Sequence, residues 1–272
     1  MNKNYKIENL KISLIITTYN TPHFLEKVLQ SVLKQTLLPY EVIIADDGST
    51  EETARLIKKY QKIFPVPLLH VWHEDLGFRA AKIRNEAIKI SSGNYIVFLD
   101  GDCIPDKNFI FDHVKLAESE YFVQGKRILL DQKISQNFSF DTIESFSKKL
   151  KLFFSPKISN RHHLIRIPFF PAFRNKKIKG IKGCNMGIFK KDLLAVNGFN
   201  EDFLGWGRED TELIIRLYKY GLKRKEHPFM AICFHLWHPP QPRENLNKND
   251  ALVEKALNSD NYFCANGIMK VK

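Results

Sequence analysis

Asn94-Tyr95-Ile96-Val97-Phe98-Leu99-Asp100-Gly101-Asp102 is the stretch on which the fold turns. Its first six residues form a short run rich in aromatic and branched side chains, as a strand buried on both faces requires. The run stops at two carboxylates separated by a glycine. Acids at the end of an apolar strand are costly in free energy unless something positive faces them. A hard divalent cation meets that need with oxygen ligands. Mg²⁺ or Mn²⁺ held there can bridge to a diphosphate and neutralise a leaving group. Alone the signal is weak, because Asp-Gly is also a common turn.

Upstream of this stretch the chain repeats one unit. Residues 12–17 read as a buried strand, followed by a helix that Thr21 caps and Pro22 opens. Phe24, Leu25, Val28, Leu29, Val32 and Leu33 recur on that helix at helical spacing. Residues 41–45 form a second strand, and Ser49-Thr50-Glu51-Glu52 has the pattern of a capping box for the next helix. A third strand is predicted over 67–72 and a helix over 79–90. Strand–helix repeats of this length imply an α/β fold with a doubly wound, mainly parallel sheet. Ligands of such sheets gather at the carboxyl ends of the strands. Those ends carry Thr17-Thr18-Tyr19-Asn20, Asp46-Asp47-Gly48-Ser49 and Asp100-Gly101-Asp102.

Downstream the pattern loosens. Strands are predicted over 121–130, near 180–189 and over 230–236, and helices over 141–152, 209–220 and 245–257. No internal repeat or linker interrupts the chain, so 1–272 is read as a single domain. Residues 1–10 are polar and lack the apolar core of a signal peptide. No apolar run approaches the roughly 20 residues of a membrane span. A cytoplasmic protein is expected. The four cysteines lack CxxC spacing and suggest neither a zinc knuckle nor a disulfide framework.

Charge adds a second theme. The net charge is +12, and residues 145–191 contain no Asp or Glu. Lys148, Lys149, Lys151, Lys157, Arg161 and Arg166 alternate there with Phe146, Phe153, Phe154, Phe169, Phe170 and Phe173. An anionic membrane surface, nucleic acid or a polyanionic substrate would each suit such a segment. An ordinary solvated basic loop is the plain alternative.

Three further motifs bear on chemistry. Gly77-Phe78-Arg79-Ala80-Ala81-Lys82-Ile83-Arg84-Asn85 opens a helix with three cations, and both helix N-termini and arginines suit phosphate. Gly205-Trp206-Gly207-Arg208-Glu209-Asp210 sets a flat aromatic face in a pliant loop before two acids at a helix start. Phe234-His235-Leu236-Trp237-His238-Pro239 offers two imidazoles, either of which could complete a metal site.

Taken together and in this order, the motifs resemble family 2 glycosyltransferases with the GT-A fold. Ile-Ile-Thr-Thr-Tyr-Asn, Ala-Asp-Asp-Gly-Ser-Thr and Phe-Leu-Asp-Gly-Asp-Cys carry that resemblance. Glu74-Asp75-Leu76-Gly77-Phe78-Arg79 and the Trp206 motif narrow it to bacterial chondroitin-polymerase-like domains, the latter being similar also to β-1,4-galactosyltransferases. The likeness implies a Rossmann-like nucleotide-sugar-binding half over about 11–130 and an elaborated acceptor-binding half over about 131–272. It implies that Thr17, Tyr19 and Asp47 hold the uracil and ribose of a UDP-sugar, and that Arg79, Arg84 and Asn185 lie at the donor, with Lys182, Gly183 and Cys184 in a donor-sugar loop. Asp100 is expected on the ribose or the metal, and Asp102 as the principal ligand of Mn²⁺ or Mg²⁺, joined by His235 or His238. Asp210 is the expected catalytic base, Glu209 orients the acceptor, and Trp206 forms its platform.

The implied reaction is a single inverting displacement onto a hydroxyl of a glycan or lipid-linked acceptor, in bacterial surface polysaccharide or lipo-oligosaccharide synthesis. The basic 145–182 segment has no counterpart in the resemblance; docking on an anionic membrane, on the inner face of the plasma membrane, is one expectation for it. Two rivals are weaker. A sugar-phosphate nucleotidyltransferase wants a Gly-rich basic loop after the first strand, where this chain has Thr-Thr-Tyr-Asn-Thr-Pro. A non-enzymatic nucleic-acid-binding protein leaves Asp100, Asp102, Glu209 and Asp210 unexplained.

Overall fold

The computed structural model describes residues 10–271. The reading of a leaderless amino terminus therefore falls, for residues 1–9, outside the described residues.

The first half is strand and helix in alternation: β1 (Ile12–Thr18), α1 (Pro22–Leu33), β2 (Glu41–Asp46), α2 (Glu51–Gln61), β3 (Leu68–Trp72), α3 (Ala80–Ile90) and β4 (Tyr95–Asp100). β5 (Cys103–Pro105), α4 (Phe109–Leu116), β6 (Tyr121–Gln124) and β7 (Lys126–Leu130) follow. α5 (Gln132–Asn137) and α6 (Phe140–Glu144) come next, and the basic region holds α7 (Phe146–Phe154), β8 (Ile158–Ser159) and β9 (Phe173–Asn175). The chain closes with β10 (Asn185–Phe189), α8 (Lys190–Ala195), α9 (Glu209–Tyr220), β11 (Lys223–Glu226), β12 (Ile232–His235) and α10 (Leu246–Asn258).

The main sheet has eight strands in the order β3-β2-β1-β4-β10-β6-β11-β9. Its first four strands are parallel, as the repeats predict. β10 then runs antiparallel to both β4 and β6, so the sheet is mixed beyond β4. A second sheet, β5-β12-β7-β8, packs on one face. The strand residues alternate between two cores: Leu14, Ile16, Val42, Ile44, Val97 and Leu99 face one side, and Ile15, Ile43, Ile96 and Phe98 the other. Burial of each contributes roughly 1.5–3 kcal/mol. That double burial explains why these strands are apolar at every position. Register pairs Thr17 with both Ala45 and Asp100, so the polar strand ends fall on one edge.

Three expectations need correction. The strand predicted over 121–130 is two strands in two sheets, divided at Gly125. A side chain at Gly125 would lie 2.1 Å from the Asn185 amide, so this is where the backbone crosses between sheets. The helix predicted over 141–152 breaks at Ser145, whose extended backbone separates α6 from α7. Ser49 does not cap α2. Its Oγ accepts instead from the Asn20 N–H at 2.8 Å, and Thr50 takes the cap position without a side-chain bond.

Candidate active site

The strand ends converge as the fold requires. On β2 and its turn, Asp46 accepts from the Ser49 N–H at 2.8 Å and lies 2.9 Å from His70 Nε2. Asp47 is 2.6 Å from His73 Nε2 and accepts from the Arg79 N–H at 2.8 Å. Burial pushes Asp47 up, against the pull of these donors. Asp47 is thus a buried anchor for the Glu74–Arg79 loop rather than a free carboxylate. Gly48, at φ +93°, is obligatory because a Cβ there would lie 2.6 Å from the Asp75 backbone. Tyr19 leaves its ring exposed beside this loop, with its hydroxyl donating to Asp75 at 2.8 Å. The Arg79 guanidinium turns back onto the Glu74 carbonyl.

Arg84 is the hub of the site. It is buried on α3, and it donates to Thr17 Oγ1 at 3.1 Å, to Asp100 at 3.1 Å and to Glu209 at 2.9 Å. Burial opposes its charge, yet Asp100 and Glu209 together hold it above its ordinary range. Arg84 is therefore not a free phosphate ligand, as its place in the motif suggests. It neutralises acids from two distant parts of the chain.

Asp210 stands beside Glu209 in the first turn of α9. Its carboxylate accepts from the Gly183 N–H at 2.8 Å and from the Thr211 N–H at 2.6 Å. Burial first, then the neighbouring Glu209 charge, raises Asp210 to about 6. Asp100 is raised to about 7, chiefly by burial, with Arg84 opposing.

Asp102 faces the other way, toward β12. His238 Nε2 lies 3.0 Å and His235 Nε2 3.6 Å from its Oδ2. One ligand atom from each of Asp102, His235 and His238 falls within 4.8 Å of the others. Pairing of β5 with β12 sets Cys103 opposite His235, and Ser135 on α5 accepts from the Trp237 N–H at 2.8 Å, steadying the loop that carries His238. Burial works against the Asp102 charge, but the two imidazoles more than offset it and hold it below the usual carboxylate range. One carboxylate and two imidazoles, all partly accessible, make a donor set that fits a divalent first-row cation. Both histidines sit at the site, where the sequence left a choice between them. Asp100 is not one of this group; its Oδ1 accepts from Arg84.

Asn185 is bound up in the fold itself. Only 1% exposed, its amide donates to the Lys126 and Ala231 carbonyls at 3.0 and 2.8 Å and pairs with His113 at 3.0 Å. The side chain clamps the two sheets together.

The Trp206 loop is built by backbone strain. Gly205, Gly207 and Arg208 all have positive φ; a non-glycine residue there is uncommon. Asn249 on α10, almost fully buried, donates to the Leu204 and Gly207 carbonyls at 3.2 and 2.9 Å. Arg243 lies over the Trp206 ring at 5.2 Å, and Arg208 pairs with Asp250. The indole stays partly exposed. Sequence reading missed Asn249, Ser135 and His73, which no motif flags.

The profile of the family described as Glycosyl transferase family 2 matches residues 13–182, and that of the N-terminal domain of galactosyltransferase matches 169–239. Validoxylamine A glucosyltransferase of Streptomyces hygroscopicus subsp. limoneus is 26% identical over 92% of this chain and 56% of its own length. Chondroitin synthase of Escherichia coli is 26% identical over 77% of this chain and 32% of its own. The chain thus spans about half or less of these relatives. Among solved structures, S. aureus TarS 1-349 in complex with UDP superposes with a TM-score of 0.62 at 18% identity, over 92% of this chain and 67% of that one. The mannosyltransferase PcManGT from Pyrobaculum calidifontis, in complex with GDP-Man and Mn²⁺, does so at 0.57 and 17%, over 92% and 72%. The fold is that of the GT-A glycosyltransferases.

Proposed function

The chain belongs to glycosyl transferase family 2, and from that premise we propose that it moves a sugar from a UDP-sugar to a hydroxyl of a glycan or lipid-linked acceptor, with inversion, in bacterial surface polysaccharide or lipo-oligosaccharide synthesis. The observation that carries the reading is Arg84, which ties the end of β4 to Glu209 beside Asp210 and so brings acids of both halves of the chain together.

In this reading Thr17, the exposed Tyr19 ring and the Asp47-anchored loop with Arg79 form the nucleoside end. Asp102, His235 and His238 hold a divalent cation, and their two nitrogen donors favour Mn²⁺ over Mg²⁺. Such a cation, when bound, neutralises charge on the diphosphate. Asp210 accepts the acceptor hydroxyl proton as that oxygen bonds to the anomeric carbon. The bond from that carbon to the diphosphate breaks, and the diphosphate leaves with the electron pair. Gly183 fixes the Asp210 carboxylate, and burial keeps it basic enough to take the proton. Glu209 and the Trp206 face orient the acceptor. Calorimetry of UDP with Mn²⁺ tests the donor site: binding in the native chain and its loss in Asp102→Ala are expected. Metal-independent UDP binding of equal strength in both would sink this reading.

The basic segment supports docking at an anionic membrane. Phe146, Leu150 and Phe154 line up one helical turn apart on α7 and are 80%, 47% and 71% exposed, flanked by Lys148 and Lys151. An exposed apolar stripe bordered by lysines suits a lipid interface. Among the described residues no helix is long and apolar enough to cross a membrane.

A further inference from the structure

Next to the Lys182–Asn185 segment, which the resemblance places at the donor sugar, lies a cavity of about 360 Å³. Lys126, Arg127, Lys182 and Arg224 line it, and no carboxylate does. Acids near it are already shared out. Glu226 is the common partner of Lys126, Arg224 and Asn175, and so offsets part of the charge from behind.

Arg127 and Lys182 receive no such partner. The half-buried Arg127 guanidinium has a thiol, Cys184 Sγ at 3.6 Å, as its side-chain hydrogen-bond acceptor. Burial opposes the Arg127 charge and the Cys184 sulfur favours it, but no carboxylate pairs with the guanidinium among the described residues. Lys182 is exposed, and among the described residues no carboxylate lies within ion-pairing distance of it. Gly180, at φ +85°, keeps the wall thin: a Cβ there would meet only the Arg224 guanidinium, at 3.9 Å.

The cavity is also joined to the reaction centre. Gly183, between the lining residues Lys182 and Cys184, donates its N–H to Asp210. The wall of the cavity and the anchor of the Asp210 carboxylate thus share one short segment, Lys182–Cys184.

We propose that this cavity is an anion subsite, in which Arg127 and Lys182 grip a carboxylate or phosphate carried by one of the sugar substrates. The proposal rests on the sugar-transfer reading for its location, though not for its chemistry. It makes the enzyme selective for an acidic sugar unit over a neutral one.

The test titrates D-glucuronate, glycerol phosphate and neutral D-glucose into the full chain at low ionic strength, with UDP measured separately. Millimolar binding of glucuronate or of glycerol phosphate, absent for glucose, is expected, and the tighter of the two identifies the group as carboxylate or phosphate. Arg127→Gln should weaken that binding at least about fivefold and leave UDP affinity unchanged. Lys182→Gln, at an exposed position that tolerates change, should act in the same direction and covers the case in which the Arg127 variant misfolds. Equal binding of glucose, no binding of either anion, or retention of anion binding in both variants overturns the proposal. Loss of UDP affinity in Arg127→Gln also overturns it, because the guanidinium would then serve the nucleotide. Failure of the native chain to bind UDP counts against the transfer reading and leaves the anion titration readable.

Discussion

The backbone N–H of Gly183 donates to the Asp210 carboxylate at 2.8 Å, joining the loop before β10 to the first turn of α9. This bond fixes one oxygen of the candidate base while burial and Glu209 raise its proton affinity.

Activity should therefore follow the ionisation of Asp210. With a value of about 6, transfer should fall roughly tenfold per pH unit below pH 6. Asp210→Asn should lower kcat by a factor on the order of 100 to 10,000 and spare UDP binding. The stability sign is opposite. A carboxylate raised in the fold stabilises below its unfolded value, near 3.9, and that contribution is lost as pH rises through about 6. At pH 7.5, Asp210→Asn should thus be more stable than the native chain by up to roughly 3 kcal/mol, with no gain at pH 3.5. Urea melts at the two pH values check this.

Removing the hub should be costly. Arg84→Gln leaves Asp100 and Glu209 facing each other without their shared cation. A loss of roughly 3 kcal/mol is expected, because breaking a buried ion pair strands the remaining charge. Chemical denaturation measures it; a loss under about 1 kcal/mol would show that the guanidinium is replaceable by water.

Metal affinity should depend on both histidines. Mn²⁺ binding, followed by electron paramagnetic resonance, should be lost in Asp102→Ala and weakened about tenfold or more in His235→Ala and in His238→Ala. An unaltered titration in either histidine variant would remove that residue from the ligand set.

Asn249→Ala should act at a distance. It frees the Leu204 and Gly207 carbonyls that hold the strained Trp206 loop. Acceptor KM should rise several-fold with little change in UDP affinity. Equal KM values would mean that the loop holds its shape without α10.

The first half of the chain was legible because its strands are buried on both faces and end in polar residues, which period and composition reveal directly. Helix α9 was legible for the same reason, its acids marking the N-terminus. What escaped was set by backbone geometry. Gly125 divides a run that looks like one strand, because only the fold brings the Asn185 amide against it. Asn185 and Arg84 fall within motifs that suggest ligand contact, yet the fold spends their polar atoms on its own carbonyls and acids. Asn249 is an ordinary helical asparagine until the Trp206 loop is laid across it.

That last contact bears on how the Trp206 loop can be exchanged in this framework. The indole-bearing loop takes its shape from Arg243, Asn249 and Asp250, some 40 residues downstream. A chimaera that grafts the loop from a relative must carry the closing helix with it, since either segment transplanted alone would meet a mismatched counterpart.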